Sequence, residues 1–365
     1  MRSAAARWAC AVAIVAALGL VFDELQLPAA WLIAAVLGAG ITALISGRQL
    51  KPPARSIRPA QAVVGVVAAE PLTKLTPSHI LDFASVGAFS IGVTLALSLV
   101  FGAALALLAR NLSLTTAKLS LIAGGASTIA SMARELGADQ RYVALSQYLR
   151  LTIVVVTLPI VLTQLGAGVT GAGGAAEAQW NLLGLLALVA VVFVGGRLAA
   201  LARMPAPFLL GPLFITAAIA MVWPPFVTVM NPPALLVNLA YIVIGLEAGG
   251  GFSAPAVRIF IKLLPVTLVF IAATIASCFG VAIVVSHWAG VPLADAYLAT
   301  TPGGIYGVLA ASAEIDSGPI VITLQVLRML AMVLAAGMIP SFVRWIEAKR
   351  NPIQQADERG CQPVG

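Results

Sequence analysis

The chain has 365 residues and a net charge of +7, yet only 10% of its residues are charged, 61% are hydrophobic, and its mean hydropathy is +1.03. A soluble domain carries about 25% charged residues, so this supply cannot clothe a water-facing surface. Two histidines, and three cysteines without paired spacing, offer no donor set for a metal or redox centre. The basic residues are scattered over short loops and form no stripe that would grip nucleic acid.

In chain order, apolar segments fall at about 8–22, 29–47, 60–70, 80–109 and 142–165, then at 180–201, 206–223, 234–248, 259–286 and 318–343. The first, behind Arg2 and Arg7, looks like a signal peptide but lacks a small-residue cleavage site, so it reads as a retained helix. Two Gly-rich, weakly polar segments, about 118–136 and 296–315, are ambiguous. Residues 51–59 form a loop containing Pro and Arg, 166–179 a Gly-rich linker, and 347–365 a polar tail expected to be disordered and cytoplasmic.

The two halves are copies. Leu27-Pro28-Ala29-Ala30-Trp31 matches Met204-Pro205-Ala206-Pro207-Phe208, Gln61–Ala69 matches Tyr241–Gly249, and Ala117–Gly125 matches Ala296–Gly304. The offset stays between 177 and 180 residues, the mark of a duplication. The domains therefore read as a first membrane repeat (1–165), the linker, and a second repeat (180–346).

Basic residues decide between six and five crossings per half. Arg150 and Arg328 fall inside apolar segments. With those two set aside, six crossings divide the basic residues between both faces, whereas five leave all but Lys74 on one face. The positive-inside rule selects five. The expectation is an all-α integral membrane protein of two inverted repeats. Each has about five transmembrane helices and one broken or re-entrant Gly-Gly segment, and both termini are cytoplasmic. That is the layout of many secondary transporters.

Paired features mark the candidate site. Gly124-Gly125 with Ser127 and Thr128, and Thr301-Pro302-Gly303-Gly304 with Tyr306, hold equivalent places in the two copies. Glycine allows close backbone approach and proline interrupts a helix, so each break would aim backbone N–H groups at a polar ligand. Close packing of small residues is the competing reading. Gln147-x-x-Arg150 and Gln325-x-x-Arg328 put an amide and a guanidinium on one helix face. An arginine at membrane depth faces protein or water and suits a carboxylate or phosphate. It can equally hold the broken segment through carbonyls, or through an acid such as Glu135 or Glu314. The remaining acids, Glu70, Asp82, Glu247 and Asp295 among them, read as solvated helix ends. No Ser/His/Asp spacing or phosphate loop of the GxxxxGK[ST] type occurs, so neither an enzyme nor a cofactor is expected.

The runs Gly124-Gly125 to Arg150, with Gly137-Ala138-Asp139-Gln140-Arg141-Tyr142 between, and Pro302-Gly303-Gly304 to Arg328, resemble the AbrB duplication family of bacterial membrane proteins. The resemblance spans roughly residues 10–345. It implies multi-pass residence in the bacterial inner membrane and indirect involvement in regulating gene expression. Departures are Ala123 where the family tends to have Pro, Ile305-Tyr306-Gly307-Val308 where Glu-Met is common, and Ser317-Gly318-Pro319 at a turn that usually contains Asp. The partners expected are the lipid bilayer and a small polar or anionic solute, with self-association left open. A sensor or scaffold without transport is the alternative.

Overall fold

The computed structural model describes residues 4–71, 77–109, 111–124, 126–167, 182–252 and 254–350, and these residues are helical with no strand among them. The linker expected at 166–179 and the tail expected at 347–365 lie outside the described residues, apart from the first two linker residues and residues 347–350, which continue the last helix instead of being disordered; of the loop expected at 51–59, residues 54–59 are helical.

The first copy contains α1 (Ala4–Glu24), α2 (Ala30–Ser46), α3 (Ala54–Val67), α4 (Pro77–Leu108), α5 (Leu114–Leu121), α6 (Ala126–Glu135) and α7 (Gln140–Gln164). The second contains α8 (Leu182–Leu201), α9 (Pro207–Val222), α10 (Pro224–Met230), α11 (Ala234–Gly250), α12 (Ala254–Phe260), α13 (Leu264–Ala289), α14 (Leu293–Thr300), α15 (Ile305–Glu314) and α16 (Pro319–Arg350). Six of these, α1, α4, α7, α8, α13 and α16, contain stretches of at least 20 residues that are apolar enough to cross a membrane. The apolar helices α2, α9 and α11 are shorter, at 17, 16 and 17 residues. Large apolar side chains such as Leu20, Leu186, Phe193 and Val269 stand exposed on α1, α8 and α13. Against water this would be costly, but against lipid it is neutral, because hydrocarbon is as apolar as leucine.

The two copies exchange partners. Helix α11 of the second copy packs on α2 of the first, and α3 of the first packs on α9 of the second. Glycines allow this close approach. A Cβ added at Gly249 would stand 2.0 Å from the Val36 carbonyl oxygen, and one at Gly65 2.3 Å from the Leu209 carbonyl oxygen. The main apolar core forms where these pairs meet, around Leu32, Val36, Val64, Leu209, Leu213 and Ile244.

Both ambiguous Gly-rich segments are broken helices. In each copy a helix of eight residues stops and, after four residues, a helix of ten residues begins. The stops share one geometry, with Ile122 at φ −62°, ψ 127° and Thr301 at φ −57°, ψ 127°. In the second copy Gly303 and Gly304 then take φ of +100° and +70°, values that side-chain-bearing residues rarely adopt.

Candidate functional site

Each break is held by the second helix after it, α7 in the first copy and α16 in the second. Helix α7 starts at Asp139, whose carboxylate accepts from the Arg141 and Tyr142 N–H groups at 2.9 and 3.3 Å. The Asp139 N–H in turn donates to Thr116 Oγ1 at 3.0 Å, so the starts of α5 and α7 lie side by side. Two turns into α7, Gln147 Nε2 donates to the carbonyls of Leu119 (2.8 Å) and Ile122 (3.0 Å). Arg150 donates to Leu121 (2.8 Å), Ile122 (3.0 Å) and Gln147 Oε1 (2.7 Å). The last carbonyls of a helix have no partner within it. Here the amide and guanidinium supply one.

The second copy repeats the arrangement. The Gly318 N–H donates to Asp295 Oδ2 at 2.9 Å, which sets the starts of α14 and α16 together. Gln325 Nε2 donates to Leu298 O (2.5 Å) and Thr301 O (3.5 Å), and Arg328 to Ala299 O (3.5 Å) and Gln325 Oε1 (2.5 Å). The carbonyl-binding reading of Gln-x-x-Arg thus has its bonds in both halves. The acids weighed as alternative partners are elsewhere, Glu135 being exposed and Glu314 bonded to the Ala29 N–H.

The two clasps converge. A Cβ at Gly303 would stand 3.0 Å from Arg150 Nε, and the two guanidinium groups lie within electrostatic reach of each other and of the Cys278 thiol. Arg150 is 1% and Arg328 3% exposed. Among the described residues neither is paired with a carboxylate, and Arg150 Nε has no acceptor. A buried charge costs several kcal/mol unless it is compensated.

Beside them is a cavity with about 820 Å³ of empty space, counted to its open mouth. Gly124, Thr128, Gly303, Gly304, Tyr306, Gln325 and Arg328 line it, together with apolar side chains from α2, α7 and α11.

Comparison with known proteins gives the chain a family. Residues 31–347 match the family described as "Transition state regulatory protein AbrB". The chain belongs to the AbrB family. Its relatives include "Putative regulator AbrB" of Escherichia coli (strain K12), 29% identical over 94% of this chain and 97% of that protein. Another is "Uncharacterized protein YhjN" of Bacillus subtilis (strain 168), 26% identical over 91% of each.

The two signature runs of this AbrB-family chain contribute unequally to the cavity. Gln147 and Arg150 are buried behind its lining, and so are Thr301, whose hydroxyl donates to Tyr297 O at 2.6 Å, and Pro302. Gly125 lies outside the described residues, and only the backbone of Ser127 is described. Sequence reasoning passed over Tyr148 and Glu247, both of which line the cavity. Glu247 was set aside as a helix end. Its place on the cavity wall follows from how α11 packs against α2, and no local pattern signals it.

Proposed function

We propose that this membrane protein is a secondary transporter for a small polar or anionic solute. Each half crosses the bilayer five times in inverted orientation. The pairs α5–α6 and α14–α15 are re-entrant hairpins that enter from opposite faces, and both termini are cytoplasmic. The Thr116–Asp139 and Asp295–Gly318 bonds support the hairpin geometry, because each brings the entry of a hairpin beside its exit. The single basic residue left outside by this topology, Lys74, supports the orientation.

One observation carries the solute class. Among the described residues, two buried guanidinium groups lack a carboxylate partner, Arg328 in the wall of a cavity that also receives the N-terminal end of α15 and Arg150 just behind that wall. Arginine and helix N-termini both favour anions, and a water-poor site strengthens that preference. The solute's negative group sits against Arg328, Gly303 and Gly304, with Thr128 and Tyr306 hydroxyls beside it. Arg150 and Gln147 fix the break rather than touch the solute.

The word "regulator" in the family description and in the name of the Escherichia coli relative favours a second reading, a sensor or scaffold that affects gene expression without flux. Either role would make the effect on transcription indirect. Calorimetry with purified protein and a panel of phosphate, sulfate, acetate and dicarboxylates tests the site. Binding of at least one anion by the wild type, lost in the Arg150→Ala, Arg328→Ala double variant, is expected. Equal binding by both proteins would remove the assignment. Loss of signalling on deletion of residues 345–365, with solute accumulation intact, would favour the scaffold.

A further inference from the structure

The helices α2 and α9 begin in the same unusual way. Each follows a proline, Pro28 or Pro205, and each has an alanine at its N-cap in the left-handed region, Ala29 at φ 58° and Ala206 at φ 47°. Alanine has no side-chain oxygen with which to cap a helix, so the first N–H groups need an acceptor from elsewhere. For α2 that acceptor comes from 285 residues away. The Ala29 N–H donates to Glu314 Oε2 at 2.6 Å, and Glu314 is the last residue of α15.

The duplication assigns a counterpart to each partner. Ala29 corresponds to Ala206, and Glu314 to Glu135, the last residue of α6. Yet no bond joins this second pair. Ala206 is half-buried and lines the cavity, whereas Ala29 is 1% exposed; Glu135 is exposed. The two helices also differ further in, with the opposite sense. Leu32 and Val36 of α2 line the cavity from the shared core, while their counterparts Leu209 and Leu213 on α9 do not reach it.

We infer that Glu135 and Glu314 are alternating latches. Glu314 on the α2 N-terminus holds the conformation seen here, and Glu135 docking on the Ala206 N–H of α9 holds the opposite one. This rests on the inverted-repeat transport reading. In such a protein the two end states are related by exchanging the conformations of the repeats. A contact made in one repeat and broken in the other is what that exchange inverts. A carboxylate at a helix N-terminus is favoured both by the free N–H groups and by the helix dipole. A glutamate that releases one helix start is replaced by the other glutamate at the equivalent start, so the two states share one kind of bond. The chain then interconverts without leaving a helix end uncapped.

The test uses full-length protein in proteoliposomes with its native cysteines replaced by serine and Ala206→Cys as an alkylation reporter. Residue 206 lines the cavity and is partly exposed, and the bond in question uses only its backbone N–H. Glu314→Ala removes the present latch, shifts the population toward docking of Glu135 on α9, and slows alkylation by about tenfold, the size expected for one charge-assisted capping bond. Adding Glu135→Ala to Glu314→Ala restores the rate. Glu135→Ala alone leaves the rate at its starting value or above. Because Glu135 is exposed here, its loss cannot unfold this conformation, and Glu135→Gln, which keeps an acceptor oxygen, gives an intermediate rescue. If Glu314→Ala slows alkylation and Glu135→Ala does not restore it, the opposite state exists without this latch and only the inference falls. An unchanged rate in Glu314→Ala also overturns the inference, while anion binding at Arg328, measured separately, decides the transport reading.

Discussion

Arg150 and Arg328 occupy equivalent positions in the repeat but are predicted to fail in different ways. Replacing Arg150 with methionine, which keeps most of the side-chain volume, removes three hydrogen bonds of 2.7–3.0 Å and leaves the Leu121 carbonyl at the end of α5 without its side-chain donor. Bonds to charged groups contribute about 1.5–3 kcal/mol each, and relief of the buried charge offsets part of that sum. The net cost is about 2–4 kcal/mol. Arg328→Met removes one short bond to Gln325 and one of 3.5 Å to Ala299, the latter at the limit of a hydrogen bond. Relief of the charge then nearly balances the loss, so the cost is about 1 kcal/mol or less. Thermal unfolding in detergent should therefore show Arg150→Met melting several degrees below wild type and Arg328→Met close to it. Anion binding should show the reverse order, because only Arg328 lines the cavity. If Arg328→Met is the less stable protein, the division into a positioning and a binding arginine is wrong.

Three further outcomes follow from the geometry. Gly303→Ala places a Cβ 3.0 Å from Arg150 Nε at a φ of +100°, so it should lower stability by about 1–3 kcal/mol and weaken anion binding, both readable from one calorimetric melt series. Gly249→Ala and Gly65→Ala each force a Cβ into a backbone carbonyl across a contact between the two copies, and each should cut the yield of folded protein on size-exclusion chromatography more than Gly92→Ala, which meets nothing within 4 Å. Glu247→Gln removes a carboxylate from the cavity that receives Arg328; it should tighten anion binding several-fold, on the order of 1 kcal/mol of relieved repulsion, as titration calorimetry would show.

The sequence carried the long apolar helices, the duplication and both breaks, because these are written in local composition; it did not carry the short helices α10 and α12 or the start of α3 at Ala54. Proline and paired glycines interrupt apolar runs at one offset, and Gln-x-x-Arg falls on one helix face. It also narrowed Gln147 and Arg150 to two roles, and the carbonyl bonds support holding the break. The sequence did not carry partner choice. Nothing near Gly65 or Gly249 says that α3 packs on α9 and α11 on α2, since a small residue announces close approach without naming the neighbour. For the same reason Glu247 read as a helix end and Glu314 as a candidate partner for a buried arginine. Their roles depend on helices almost 300 residues apart in one case and more than 200 in the other. Nor does a duplicated sequence disclose which copy is engaged, so the different exposures of Ala29 and Ala206 emerge only in three dimensions.

The central claim is that the glycine breaks border a water-reachable chamber whose anion contact is Arg328. Aqueous maleimide labelling of Ile305→Cys, one residue past the second break and on the cavity wall, tests it most directly. The account predicts labelling in the wild-type background, protection by an anion that binds, and loss of that protection in Arg328→Met. A thiol at 305 that stays unreactive from both sides of the membrane, or protection that persists without Arg328, would contradict it.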